Sequence, residues 1–260
     1  MTDDITTTAP ARIALITGGN RGLGRSAALA LAERGTDVIL TYRSNEDEAH
    51  AVVAEIEAIG RRAAALRLDT TEVETFPDLV EAVRSTLGGW GRDTIDHLVN
   101  NAGLTVEGSI SEATVADAQL LFDVHFKGVF FLTQALLPVL ADGGSIVNLS
   151  TGLARFVGAP SYAIYASMKG AVEVLTRYLA KDLGARGIRV NVVAPGPVMT
   201  DFAGGYIRAS AEAQQQFGAA TALGRVGEPD DIGPVIAAVL SDEMHWVTAQ
   251  RIEASGGTLL

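Results

Sequence analysis

The sequence predicts an α/β protein of the doubly wound, Rossmann type: a single domain with about seven parallel strands in one sheet and helices on both faces. Three observations carry this. Strand-length apolar runs alternate with helix-period segments along nearly the whole chain, and that alternation calls for parallel strands joined by right-handed crossovers. The runs themselves are almost continuously apolar, as in Ile13-Ala-Leu-Ile16, which marks strands covered on both faces. Finally, the first run passes through Gly18, Gly19, Gly22 and Gly24 straight into a helix. Such a turn aims bare backbone N–H groups and a positive dipole end at one spot, and that spot suits a phosphate.

The elements follow in order. Residues 1–11 read as a disordered tail, with neither the basic start nor the apolar core of an export signal. The strand Ile13–Ile16 leads to a helix over 26–34. Residues 37–42 form a second strand, and Ser44 with Glu46, Asp47 and Glu48 opens a helix with a hydroxyl cap and an acidic first turn. Residues 63–68 make the third strand, followed by a helix over about 73–86. Residues 94–100 are the fourth strand, ending in Asn100-Asn101-Ala102-Gly103. A long helix spans about 115–140; His125, Lys127, Gln134 and Pro138 mark its most apolar window as a buried or interface helix, not a membrane span. A fifth strand (145–150), a helix (161–183), a sixth strand (188–193) and a last strand (250–254) complete the chain. Residues 12–260 thus read as one domain. Within it 199–224, with Phe202, Gly204, Gly205, Tyr206, Ile207 and Phe217, reads as a helical flap on a glycine hinge.

Composition narrows the function. At 260 residues, 48% hydrophobic, the chain is long enough to bury one large core. A net charge of −11 with no basic stripe excludes nucleic acid as a partner. The chain has no cysteine, which excludes disulfide and thiolate chemistry and fits a reducing, cytoplasmic setting. His50, His97, His125 and His245 lack metal-ligand spacing, so no metal is expected. Gly19-x4-Gly24-Arg25-Ser26 nearly spells a nucleoside-triphosphate loop. However, Arg replaces its lysine, and no acidic strand end is present to hold magnesium.

In such sheets ligands bind beyond the C-terminal strand ends, near the switch point. This places the loops after Ile16, Tyr42, Leu68, Asn100, Ser150 and Val193 on one rim. An acid at the end of the second strand selects NAD through the ribose, whereas an arginine there accommodates a 2′-phosphate. The chain reads Thr41-Tyr42-Arg43-Ser44, and Arg21 projects from the glycine loop. Two guanidiniums can grip a phosphate dianion, so NADP(H) is the expected cofactor.

Tyr165-x3-Lys169 carries the chemistry. Residues four apart share a helical face. A lysine ammonium at about 4 Å favours phenolate by roughly 4 kcal/mol at an effective dielectric near 20, on the order of three pKa units. That shift is expected to bring Tyr165 into range for general acid–base work.

Together, Thr17-Gly18-x3-Gly22-x-Gly24, Asn100-Asn101-Ala102-Gly103, Tyr165-x3-Lys169 and Pro195-Gly196-x3-Thr200 resemble the short-chain dehydrogenase/reductase family, from about residue 12 to 257. The resemblance implies hydride transfer between NADP(H) and a ketone or secondary alcohol, with Tyr165 as general acid/base and Lys169 holding ribose. It implies a cofactor-lining set of Gly18, Asn20, Arg21, Gly22, Leu23, Gly24, Tyr42, Arg43, Asp69 and Thr70. Asn101, Ala102, Gly103, Tyr165 and Lys169 extend that set, and Pro195, Gly196, Val198 and Thr200 close it at the nicotinamide end. A homotetramer or homodimer built through the two long helices is also implied, and the apolar run at 129–132 fits it.

Two positions depart from the family pattern. The substrate-orienting serine is matched by Thr151, with Ser150 as the alternative; threonine keeps the hydroxyl but is stiffer. The asparagine of the long helix, which holds a proton-relaying water, is matched by His125, whose imidazole can both donate and accept. Tyr162, two turns before Lys169, resembles the acid of enoyl reductases and defines an alternative C=C reductase. A non-catalytic NADP(H)-binding regulator is a further alternative, since fold alone proves no activity. Leu104, Leu153, Phe156, Tyr162, Phe202 and Tyr206 are expected to line an apolar substrate pocket, with Arg155 and Arg208 as candidate partners for an acidic group.

Overall fold

A computed structural model of the protein describes residues 10–260. Most of the expected tail, 1–9, lies outside the described residues. Its final residue does not: Arg92 donates to the Ala11 carbonyl and fastens the chain there.

Seven parallel strands form one sheet in the order β3-β2-β1-β4-β5-β6-β7. They are β1 (Ile13–Ile16), β2 (Asp37–Tyr42), β3 (Ala63–Arg67), β4 (Ile95–Asn100), β5 (Leu140–Leu149), β6 (Arg189–Pro195) and β7 (Arg251–Ala254). The order reverses between β1 and β4, which opens a crevice at their C-terminal ends. The helices are α1 (Gly22–Glu33), α2 (Glu46–Ala58), α3 (Phe76–Gly89), α4 (Val115–Phe122), α5 (Gly128–Leu136), α6 (Ala163–Leu183), α7 (Tyr206–Ala209), α8 (Ala211–Ala219) and α9 (Pro229–Leu240).

Two cores sit on opposite faces of the sheet. Ala14, Ile16, Val38, Leu40, Val99 and Val147 pack with α1, α2 and α9. The intervening strand residues Ile13, Leu15, Ile39, Leu98, Ile146 and Val190 pack with α3, α5 and α6. With a side-chain period of two, both sets must be apolar, which is why these strands read as unbroken hydrophobic runs.

Several boundaries differ from expectation. The first helix starts at Gly22, inside the glycine loop, not at Ser26. Ser44 does not cap α2; Asn45 occupies the cap position without a side-chain hydrogen bond, and the acidic residues Glu46, Asp47 and Glu48 supply the favourable dipole contact. α9 was not anticipated: Pro234 within it and Gly233 break the helical reading. Gly233 is there because a Cβ would stand 2.3 Å from Ser26 Oγ, so α9 can lie directly on α1. Arg189 of β6 donates to the carbonyls of Val239, Leu240 and Ser241 and thereby closes the end of α9.

The long helix is continuous from α4 to α5 through a π-helical turn at Asp123–Lys127. The stretch Val115–Val139 has the length and apolarity of a membrane span, yet it packs into the domain with His125 fully buried.

Candidate active site

The glycine loop is shaped by its neighbours. Gly18 and Gly22 adopt φ of +63° and +54°, a backbone region that side chains resist. Gly24 has no room for a side chain, since a Cβ would meet the Gly18 carbonyl oxygen at 2.2 Å. The loop is pinned from β4: Asn101 Nδ2 donates to the carbonyls of Thr17 (2.8 Å) and Gly18 (3.1 Å). The Thr17 hydroxyl in turn accepts from the backbone N–H groups of Asn101 and Ala102, both at 2.9 Å. Across the loop, Thr200 is the nearest side chain to Gly22, which sets the Pro195–Thr200 stretch opposite the glycines.

The rim residues differ in what they offer a dinucleotide. Arg21 and Arg43 are exposed, and among the described residues neither has a carboxylate partner. Asn20 instead donates to Glu48 at 2.9 Å. The Tyr42 ring is buried against the core, with Glu46 beside its hydroxyl. Leu23 likewise packs against that core. Asp69 Oδ1 accepts from both the N–H and the hydroxyl of Thr71, and the Thr70 carbonyl lies against Gly128. Gly196 sits where a Cβ would strike Ser255, while Val198 pairs with Gly227 across a short bridge.

Tyr165 and Lys169 lie on one face of α6, both buried, with Lys169 Nζ 5.9 Å from the centre of the tyrosine ring. The ammonium donates to the Leu149 carbonyl at 2.8 Å. Burial lowers its pKa to about 7. The tyrosine shifts opposite to expectation: burial pushes the Tyr165 phenol up, with a hydrogen bond from Thr151 pulling the other way. The Lys169 charge does not offset this: its head is aimed at a carbonyl, and desolvation of the buried phenol outweighs the attraction the ammonium gives the phenolate.

Three rings enclose Tyr165. His125 stands edge-on at 5.2 Å, Phe202 at 5.6 Å and Tyr162 at 6.3 Å between ring centroids. Phe202 is followed by Ala203, Gly204 and Gly205, all left-handed, with φ of 53°, 68° and 73°. The π-helical turn points His125 inward, and its Nε2–H donates to the Leu104 carbonyl at 2.6 Å. That bond fixes the tautomer and leaves Nδ1 a buried acceptor without a partner among the described residues. Burial, and then the Lys169 charge, hold its pKa well below the usual histidine range, so the ring is neutral.

Of the two candidate hydroxyls, Thr151 is the one that pulls the Tyr165 phenol down against burial, and its oxygen accepts from Leu153 N–H at 3.3 Å, whereas Ser150 donates to Glu173 at 2.6 Å. Tyr162 donates its hydroxyl to Glu107 at 2.7 Å, and burial followed by that carboxylate raises the phenol to about 12. Tyr206 is more than half exposed. Leu153 and Phe156 are half-buried in the loop after β5, where Leu153 lies against Gly158 and Phe156 against Gly152. Arg155 and Arg208 are held by Glu253 and Asp201. Sequence reasoning missed Glu107, Glu173 and Arg251. One signal was available: Glu173 is four residues past Lys169, on the same face of α6.

Comparison with known proteins agrees with this geometry. A family model described as enoyl-(acyl carrier protein) reductase matches residues 18–258. A hydroxynaphthalene reductase-like protein of Metarhizium brunneum is 37% identical over 258 residues, covering 95% of each chain. The structure of LugOII, a promiscuous reductase catalysing keto-reduction at C1 in lugdunomycin biosynthesis, superposes with a TM-score of 0.90 at 37% identity, covering 95% of this chain and 97% of that one. A short-chain dehydrogenase from Burkholderia cenocepacia in complex with NADP gives 0.87 at 35% identity, covering 95% and 97%. With the sheet order, the pinned glycine loop and the Tyr165–Lys169 ridge in place, the chain is a member of the short-chain dehydrogenase/reductase family.

Proposed function

We propose that this protein is an NADP(H)-dependent reductase of ketones, acting on small and largely apolar carbonyl substrates. The observation that carries the reading is the convergence of Thr151, Tyr165 and Lys169 at the open sheet end, beside a glycine loop flanked by two exposed guanidiniums. The residues present fit the cofactor: the backbone of residues 18–24 would hold the pyrophosphate, and Arg21 with Arg43 would grip the 2′-phosphate. NADP(H), when bound, supplies the hydride.

The chain's own groups manage the proton. A raised phenol pKa keeps Tyr165 protonated at neutral pH, the form needed to donate to a carbonyl oxygen. The Thr151 hydroxyl can donate a second hydrogen bond to that oxygen. Lys169, titrating at about 7, is partly charged at neutral pH and steadies the phenolate that remains after transfer. Phe202 and His125 keep water from the phenol. The neighbours named for keto-reduction and naphthalene reduction support a carbonyl substrate. The hydroxyl of Tyr162, engaged by Glu107, weighs against the C=C alternative. The helices flanking the site also carry a column of half-exposed rings (Phe122, Phe126, Phe130 and Phe131), and this supports a homo-oligomer formed there.

The test is NADPH oxidation, followed by ultraviolet absorbance, against a panel of aryl ketones and enones. Tyr165→Phe should lose ketone turnover, while Tyr162→Phe keeps most of it. Turnover of enones alone, or loss only in Tyr162→Phe, would sink the proposal.

A further inference from the structure

Behind the site lies a chain of charged groups that the chemistry above does not use. Glu173 of α6 accepts from the Ser150 hydroxyl at 2.6 Å and from Arg251 Nε at 2.7 Å. Arg251, on β7, spreads its other nitrogens over two more acceptors: Glu253 Oε2 at 2.8 Å and the Thr151 carbonyl at 3.1 Å. Arg155, at the far end of the same loop, pairs with Glu253 at 2.7 Å and donates to the Thr258 carbonyl at 3.1 Å. Two carboxylates face two guanidiniums; Arg251, Glu173 and Glu253 are largely shielded, exposing 22%, 15% and 21% of their side chains, while Arg155 at the outer end is exposed.

What this chain holds is informative. The sheet ladder stops at Ser150, whose N–H bonds the Val193 carbonyl. Thr151 lies one residue past that last rung, and Gly152 follows it. Apart from Ala154 N–H at 3.2 Å, the Thr151 carbonyl is fixed by Arg251. Turning that peptide swings the Thr151 hydroxyl relative to Tyr165. The same network takes up the Ser150 hydroxyl proton, whereas the Thr151 oxygen accepts the Leu153 N–H at 3.3 Å and keeps its own proton to give.

We propose that Arg251 and Glu173 are positioning residues: they clamp the Thr151 peptide so that its hydroxyl faces Tyr165, and they set Ser150 aside for structure. This rests on the ketone-reductase reading of the site. A structural brace alone would lower stability without acting through Thr151, so the two roles separate in a double-mutant cycle.

The experiment measures kcat, KM and NADPH affinity with a bicyclic aryl ketone such as 1-tetralone, or the ketone wild type reduces fastest. The proteins are wild type, Arg251→Met, Arg251→Lys, Glu173→Gln, Thr151→Val, and Thr151→Val combined with Arg251→Met. The clamp predicts a fall in kcat of about tenfold or more in Arg251→Met, with NADPH affinity within about twofold of wild type. Arg251→Lys should recover part of the loss, and Glu173→Gln should show a smaller one. In the Thr151→Val background the Arg251 change should cost nothing further. A crystal structure of Arg251→Met, or of Arg251→Lys if the former does not fold, should show the Thr151 hydroxyl turned from Tyr165. The clamp is wrong if that hydroxyl stays in place, or if the losses simply add. Full turnover in Tyr165→Phe or Thr151→Val would instead overturn the reading of the site itself.

Discussion

Replacing Gly24 by alanine tests how the glycine loop is built. The new Cβ would stand 2.2 Å from the Gly18 carbonyl oxygen and 2.6 Å from Asn101 Nδ2, whereas ordinary contact begins at 3.4 Å. Both obstacles are held: the Gly18 carbonyl is pinned by Asn101, and Asn101 by the Thr17 hydroxyl just past β1. The start of α1 and the loop must therefore part by about 1 Å in a close-packed setting. Overpacking of this kind costs about 3 kcal/mol, the upper part of its usual range. At roughly 2–4 °C per kcal/mol for a domain of this size, melting should fall by about 6–12 °C. A shift of that size in the phosphate-binding backbone should also weaken NADPH binding on the order of 100-fold. Gly22 is the control. Its φ of +54° makes alanine unfavourable by about 1–2 kcal/mol, but the nearest side-chain atom, Thr200 Cγ2, lies 3.7 Å away and leaves room. Thermal and urea unfolding of both variants, with an NADPH titration, decides the matter. The packing account fails if Gly24→Ala is no less stable than Gly22→Ala, or if it binds NADPH like wild type.

Other expectations follow from the charges. Lys169 loses its proton near pH 7, and its charge favours the phenolate left by proton donation, so reductive kcat should decline as pH rises through about 7; a profile flat from pH 6 to about 8 refutes this. His97 is buried and held neutral, its pKa lowered to about 3 mainly by burial and then by Arg12. The unfolded chain takes up that proton near pH 6.5, so acid favours unfolding, by about 2 kcal/mol between pH 6.5 and 5. His97→Leu should flatten the acid limb of a stability-versus-pH curve, and an unchanged limb counts against the assignment. Asp37 is fully buried, with Arg61 at 2.5 Å and Arg62 at 2.6 Å, and its carboxyl is held below the usual range. Asp37→Asn should cost about 2–3 kcal/mol in urea unfolding at neutral pH, and less as pH falls. Arg43→Ala should weaken NADPH binding about tenfold or more while leaving NADH binding nearly unchanged, read by titration with each.

The fold was legible because its strands are covered on both faces, so each one announces itself as an apolar run, and because Gly18, Gly22 and Gly24 punctuate the first crossover. α9 escaped notice because Pro234 and Gly233 are tolerated there for a tertiary reason, the close approach to Ser26, that no local pattern encodes. In the site, the Tyr165–Lys169 spacing gave away a shared helical face. The direction of the tyrosine's shift was not readable, since it depends on enclosure by His125, Phe202 and Tyr162 from three separate elements. Equally, Ser150 and Thr151 are adjacent and chemically alike. Only Glu173 and Arg251, distant in the chain, distinguish them.

The wide turn at Asp123–Lys127 has a consequence for the protein's outside as well as its interior. One surplus peptide unit swings all that follows by about 100° about the helix axis. It turns an imidazole toward the Tyr165 ring, while Phe122, Phe126 and Phe130 keep to a straight outer column, stacked at 5.8 and 6.4 Å. Excising that unit to restore an even spiral would drive one of the two out of register. What the interior presents to a bound molecule and what the flank presents to a neighbour are therefore set by the same local irregularity, and neither can be retuned alone.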